Sequence, residues 1–219
     1  MTGPRDAWAD QRRLPPEGGI AGPPVIEELP AGTRLWRIHS IARSAEAFVC
    51  GPPSAHAGGR FDAVAATYGH LYAADSFEGA VAETFVRRLP LVDDGERLLP
   101  FARVAGRSVS VLEMCRELRV VILHGAAAAA VGQGLWLTKC EAADYPLTIE
   151  WGRALRACAP ECAGLAWRAR FDEDRLSYVL YSDLAEGALE PVWSTRIDEG
   201  PGLEAVRRAL LEHRVAIER

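Results

Sequence analysis

The chain has 219 residues, a formal net charge of −5 and a pI near 5.6. That balance argues against nucleic-acid binding over a broad surface, which needs basic side chains to neutralise phosphates; a local basic pocket stays open. With 49% hydrophobic and 25% charged residues the composition is that of a globular protein, able to bury roughly two-thirds of its unfolded surface without a disulfide or metal staple.

In chain order, the first 30 residues hold Pro4, Pro15, Pro16, Pro23, Pro24 and Pro30 with Gly18, Gly19 and Gly22, which predicts an extended arm over 1–32 and one ordered domain over 33–219. This stretch has no apolar signal core. Arg34 to His39, with Leu35, Trp36 and Ile38, predicts a strand. Residues 50–60, with two prolines and three glycines, read as a loop. His70 to Ala74 is a short strand. Asp75 or Ser76 then caps a helix to about residue 88, with Phe77, Val81 and Phe85 on its apolar face.

Strand-like runs follow at 98–105, 108–112 and 118–123, and a short helix at 126–131 is closed by Gly132. Pro146 opens a helix with Leu147, Trp151, Leu155 and Cys158 along one side. Strands at 164–170 and 176–181 are joined by a polar DEDR turn, a further strand fits 192–197, and a helix closes the chain over about 202–217, lined by Leu203, Val206, Leu210 and His213. Long β stretches not separated by helices favour an α+β fold over a doubly wound parallel sheet. The longest apolar run, around 120–131, is interrupted by His124 and Gly125 and is too short to span a bilayer.

The five cysteines are odd in number and irregularly spaced, and Cys158 and Cys162 have no nearby second pair to complete a metal site; a reducing cytoplasm is the expected location. His39, His56 and His70 are too scattered to suggest a metal, and structural or surface roles are expected of them. Arginine carries the positive charge, Lys139 being the sole lysine. Coding bias accounts for this, although guanidinium forks also suit phosphate.

Three segments carry chemistry: LWRIHS with Arg37 on a strand, AGGRFDA with Arg60 after two glycines, and HLYAADSFEGAVAETF with Tyr72 on a strand and Glu83 on the next helix. Each residue has a plain alternative. Arg37 fits an exposed strand position, Gly58-Gly59 a simple turn, Tyr72 core packing, and Glu83 a solvated helix face or an i,i+4 pair with Arg87.

Taken together and in this order, the segments resemble the RES domain, a family of bacterial toxins. The matching elements are Arg37, Gly58-Gly59-Arg60-Phe61, Leu71-Tyr72, Glu83, then Tyr145-Pro146-Leu147-Thr148 with Trp151, and Gly164-Leu165-Ala166-Trp167, spanning about 33–183. The resemblance implies an ADP-ribosyltransferase-like core: a mixed sheet with flanking helices that cleaves NAD at its nicotinamide–ribose bond. Phosphorolysis, hydrolysis and transfer to an acceptor protein stay open, with inorganic phosphate as a candidate co-substrate. It implies catalytic roles for Glu83, Tyr72 and Arg60, and substrate binding by Arg37, Arg60, Tyr72, Gly59 and the position of Ala169. It implies no metal or further cofactor, and a toxin restrained by an antitoxin in trans, with a homo-oligomer an open alternative and no membrane or direct nucleic-acid partner. One departure stands out. Where the family carries a serine after the Gly-hydrophobic-aromatic stretch, this chain has Ala169; Ser177 lies further on, in the following strand. Altered substrate geometry, lower activity and a nucleotide-binding module without catalysis are the alternatives this departure opens.

Overall fold

The computed structural model describes residues 14–17, 19–50, 58–63, 68–89 and 97–218. Among these, chain order gives β1 (Ile26–Leu29), β2 (Arg34–Ser40), β3 (His70–Ala74), α1 (Phe77–Thr84), β4 (Arg97–Leu99), β5 (Arg107–Met114), β6 (Leu118–Ile122), α2 (Ala126–Ala130), α3 (Trp136–Lys139), α4 (Tyr145–Cys158), β7 (Gly164–Ala169), β8 (Asp172–Tyr181), α5 (Ser182–Ala185), β9 (Leu189–Arg196), α6 (Gly200–Leu211) and β10 (Val215–Ile217). Eight strands form one sheet in the order β1-β6-β7-β8-β3-β2-β5-β9, with β4 and β10 paired separately. Neighbours in the large sheet run antiparallel except β6 and β7. This is the α+β class that the element order predicts and the mixed sheet with flanking helices that the family resemblance implies.

Alternation divides the sheet into two faces. Along β2, Leu35, Arg37 and His39 are buried, while Trp36 and Ile38 point the other way and are half-buried. Leu35, Leu71, Leu112, Val120 and Leu180 share one core. The opposite face carries two. Val121, Leu165 and Val179 pack with Trp151 and Leu155 of α4. Val109 packs with Val81 and Phe85 beside α6, which contributes Val206 and Leu210. Burial of such side chains contributes about 1.5–3 kcal/mol each. It therefore fixes α1, whose eight residues are too few for a helix that persists alone in water.

Several local expectations change. The arm is ordered earlier than Thr33, because Ile26–Leu29 extend β6 as an antiparallel neighbour; the alternation of this short, largely exposed strand is hidden among prolines. The 98–105 run holds only β4 before a 3-10 turn at Phe101–Arg103, as Pro100 cannot donate to a ladder. The DEDR segment lies inside β8, with Arg170 and Phe171 making the turn; its polar side chains stand on an exposed strand end. The last helix stops at Leu211, and Val215–Ile217 form β10 on β4. His213 lies past the helix, its carbonyl accepting from Arg97 Nη2 at 2.6 Å. On α4 the buried side is Tyr145, Thr148, Ile149, Trp151 and Leu155, and Cys158 is exposed. Most of the 50–60 loop, with His56, lies outside the described residues.

One irregularity positions the site. β2 pairs with β5 along its whole length, and β3 pairs with β8 likewise, yet β2 and β3 share only the pair Trp36↔Ala74. Beyond that pair the two strands part, and the sheet splits between Arg37 and Tyr72.

Candidate active site

A cavity of about 280 Å³ sits at this split, under α1. Its floor includes Trp36, Ile38, Tyr72, Ala74 and Ser177, with Trp167 beside them, and α1 contributes Ala80, Glu83 and Thr84. Among the described residues its charged lining is Arg37, Arg87, Arg103 and Arg107 with one carboxylate, Glu83. A chain of net charge −5 thus brings four arginines to the edge of one concave surface, Arg37 at the strand split and Arg87, Arg103 and Arg107 along the wall, which focuses positive potential there.

Glu83 stands on α1 because Ser76 caps the helix, its Oγ accepting from the Gly79 N–H at 3.2 Å. The carboxylate is held at both oxygens: Oε1 accepts from the Arg170 backbone N–H at 2.8 Å, and Oε2 lies 3.6 Å from Arg87 Nη1. The i,i+4 pair is therefore present, and it lies on the cavity wall, with the Glu83 side chain 13% exposed. Burial works against the Arg87 charge, but Glu83 and the oxygens of Tyr145, Tyr72 and Asp62 outweigh it and raise its pKa. Among the described residues Arg87 Nε has no hydrogen-bond partner.

Tyr72 is held at its hydroxyl. Oη donates to Asp62 Oδ1 at 2.8 Å and accepts from the Phe61 N–H at 2.9 Å. Burial, then the Asp62 charge, push its pKa well above the ordinary tyrosine value, so the phenol keeps its proton. Asp62 also accepts from the Gly59 N–H at 2.8 Å and faces His70 Nε2 at 3.3 Å. His70 Nδ1 accepts from the Ala63 N–H at 3.1 Å, which leaves the ring proton on Nε2. Burial lowers the His70 pKa. Asp62 thus organises the Gly-Gly-Arg-Phe-Asp turn around Tyr72.

Gly59 is needed here for packing. A Cβ on it would lie 2.4 Å from Tyr72 Oη and 2.5 Å from Asp62 Oδ1. Arg60 lies behind the cavity lining and is fully enclosed. Its guanidinium rests 5.5 Å from the centre of the Tyr145 ring, which Arg87 also faces at 5.9 Å. Nη2 reaches the Cys140 carbonyl at 3.4 Å, while Nε and Nη1 have no partner. The Tyr145-Pro146-Leu147-Thr148 helix start binds the same turn, Thr148 Oγ1 donating to the Arg60 carbonyl at 2.6 Å.

Arg37 turns to the sheet face away from Trp36 and donates to the Ala45 carbonyl at 2.5 Å. Burial, then Arg43, push its pKa down to about 10, and it remains charged at neutral pH. His39 Nε2 pairs with Ser110 Oγ at 2.8 Å. His39 and His70 both have structural partners.

Ala169 is fully buried, with its carbonyl accepting from Lys139 Nζ at 2.7 Å, and it does not border the cavity. Ser177 does. It pairs across the β7–β8 ladder with Trp167, is 2% exposed, and its Oγ has no partner. A hydroxyl thus borders the cavity on the strand next to Ala169. Arg103 and Arg107 are the other residues that the sequence reading leaves out. Burial and then the Arg103 charge lower the Arg107 pKa, and among the described residues neither has an acidic partner. Two mutually repelling guanidiniums on one wall make a place for a polyanion.

The RES domain family model matches residues 34–200. Among solved structures, the chain resembles one in the crystal structure of the M. tuberculosis MbcT–MbcA toxin–antitoxin complex. The match has 16% identity, covers 83% of this chain and 92% of that one, and has a TM-score of 0.55. At that identity the likeness is one of fold. No curated protein matches the chain. Among the described residues no helix is long and apolar enough to cross a membrane.

Proposed function

Since the chain belongs to the RES-domain family, we propose that it is an NAD-consuming enzyme that breaks the bond between nicotinamide and its ribose. The observation that carries this reading is Glu83, among the described residues the one carboxylate lining a cavity that four arginines also line. NAD matches that pattern: a diphosphate seeks the guanidiniums, and a ribose carbon that gains positive charge seeks the carboxylate.

The reaction balances without a metal. The C–N bond breaks, its electron pair leaves with nicotinamide, and the ring nitrogen becomes neutral. The ribose passes through an oxocarbenium-like state, which Glu83 stabilises electrostatically. An oxygen of phosphate or water then forms the new bond to the same carbon and loses its proton. The Arg170 N–H and Arg87 hold the Glu83 carboxylate still. Tyr72 and Trp167 offer aromatic faces to the nicotinamide end, and the free Ser177 hydroxyl offers it a hydrogen bond. Arg103 and Arg107 take the diphosphate. Arg37 adds charge at the split, and Arg60 adds it from behind Tyr145. The unpartnered Ser177 Oγ and Arg87 Nε suit a site completed by its substrate, and with Ser177 in place Ala169 gives no ground for a binding-only descendant.

The solved neighbour is a toxin in complex with its antitoxin. By that likeness this enzyme acts as a toxin, held in check by a protein partner in trans. The test is Glu83→Gln, which keeps shape and removes charge. Nicotinamide release should fall about 10²-fold or more while the melting temperature stays within a few degrees. Near-full turnover in a folded variant would remove Glu83 from the mechanism.

A further inference from the structure

A second concavity of about 500 Å³ adjoins the cationic cavity on the same face of the sheet. Trp36 lines both. The chain also passes from one to the other as it leaves β3 and enters α1: Ala73 and Ala74 border the first, Asp75, Ser76 and Phe77 the second. Its other walls include Val109, Trp193 and the start of α6 at Pro201 and Gly202.

The groove is aromatic. The Trp36 ring lies 5.8 Å from both Phe77 and Trp193, inclined at 61° and 66° rather than stacked. Trp193, on edge strand β9, is 48% exposed, a large apolar ring left in water beside a polar cavity. We propose that this groove binds the adenine base of the dinucleotide, Trp193 and Trp36 supplying the stacking surface.

This rests on the NAD reading above and specifies where the second nucleotide lies. Three observations carry it. The groove is continuous with the cavity through Trp36. Arg107 and Val109 are alternate residues on one face of β5, Arg107 bordering the cavity and Val109 the groove, so adjacent same-face positions about 7 Å apart along the strand carry the two sites. The rim carries the carboxylates of Asp75 and Glu78, acceptors that suit an exocyclic amino group and disfavour another phosphate. The nicotinamide half, by contrast, belongs next to Glu83.

The experiment is a calorimetric titration of adenosine monophosphate and, separately, nicotinamide mononucleotide into the wild type, Trp193→Ala and Trp193→Phe. Trp193 is half-exposed on an edge strand, so both variants should fold. Trp193→Ala should weaken adenosine monophosphate about tenfold and Trp193→Phe should restore most of the affinity, while nicotinamide mononucleotide binds all three alike. Equal adenosine monophosphate affinity in wild type and Trp193→Ala, no binding to the wild type, or an equal loss for both ligands would overturn the proposal. Nicotinamide release from NAD by the same wild-type preparation reports on the reaction separately. If release persists and the contrast fails, the groove assignment falls alone; if the contrast holds without release, the reaction falls alone.

Discussion

Replacing Gly59 by alanine tests whether the Gly-Gly element shapes Tyr72. The added Cβ would sit 2.4 Å from Tyr72 Oη and 2.5 Å from Tyr72 Cζ, well inside the roughly 3.5 Å at which such atoms rest. The turn or the ring must therefore move by about 1 Å. Either movement strains three hydrogen bonds: Tyr72 to Asp62, Phe61 to Tyr72, and Gly59 to Asp62. Each is worth about 0.5–3 kcal/mol, the upper end applying to those on the carboxylate. With partial relaxation the expected loss is about 2–4 kcal/mol. In a chain of this size that is about 4–16 °C in melting temperature, accompanied by reduced NAD turnover because Tyr72 lines the cavity. Scanning calorimetry on Gly59→Ala, Tyr72→Phe and the double variant provides the assay. The double variant should lose less than the sum of the singles, as both strain the same contact. A Gly59→Ala melting temperature within 1 °C of wild type would show that the close approach does not require glycine.

Two further expectations concern stability. Ala169→Ser buries a hydroxyl at a fully enclosed site and should cost about 1–3 kcal/mol in denaturant titration without raising NAD turnover; faster turnover at unchanged stability would place Ala169 in the site instead. Burial lowers the pKa values of His39, His70 and His124 below the ordinary 6.5. The unfolded chain then binds more protons than the native state between 6.5 and those depressed values, so stability falls as pH drops below about 6.5 and levels off once the native histidines also protonate. Melting curves from pH 8 to 5 should show this decline, and His70→Gln should flatten it; a rise in stability toward acid would contradict the assignment.

Much of this arrangement was legible in the sequence. The alternation in RLWRIHS and HLYAA defines β2 and β3, and Ser76 with the Phe77, Val81, Phe85 spacing defines α1, so the strand–helix unit carrying Tyr72 and Glu83 follows from local rules. What local rules miss depends on pairing between strands. Ser177 meets Trp167 only through the β7–β8 register, and the polar DEDR run conceals that the hairpin turns earlier. Arg87, Arg103 and Arg107 are inconspicuous in a chain whose positive charge is nearly all arginine, and only the fold brings them onto one wall. The family resemblance makes Arg60 and Gly59 ligand contacts. Here the group that approaches Gly59 is Tyr72, and Arg60 is packed against Tyr145.

The central claim is that the nicotinamide–ribose bond of NAD is broken at this cavity. Its most direct test is to incubate the purified protein with NAD, with and without inorganic phosphate, and identify the products by mass spectrometry. The account predicts free nicotinamide together with an ADP-ribosyl product, phosphorylated when phosphate is the nucleophile and hydroxylated when water is. NAD recovered intact under both conditions would contradict it.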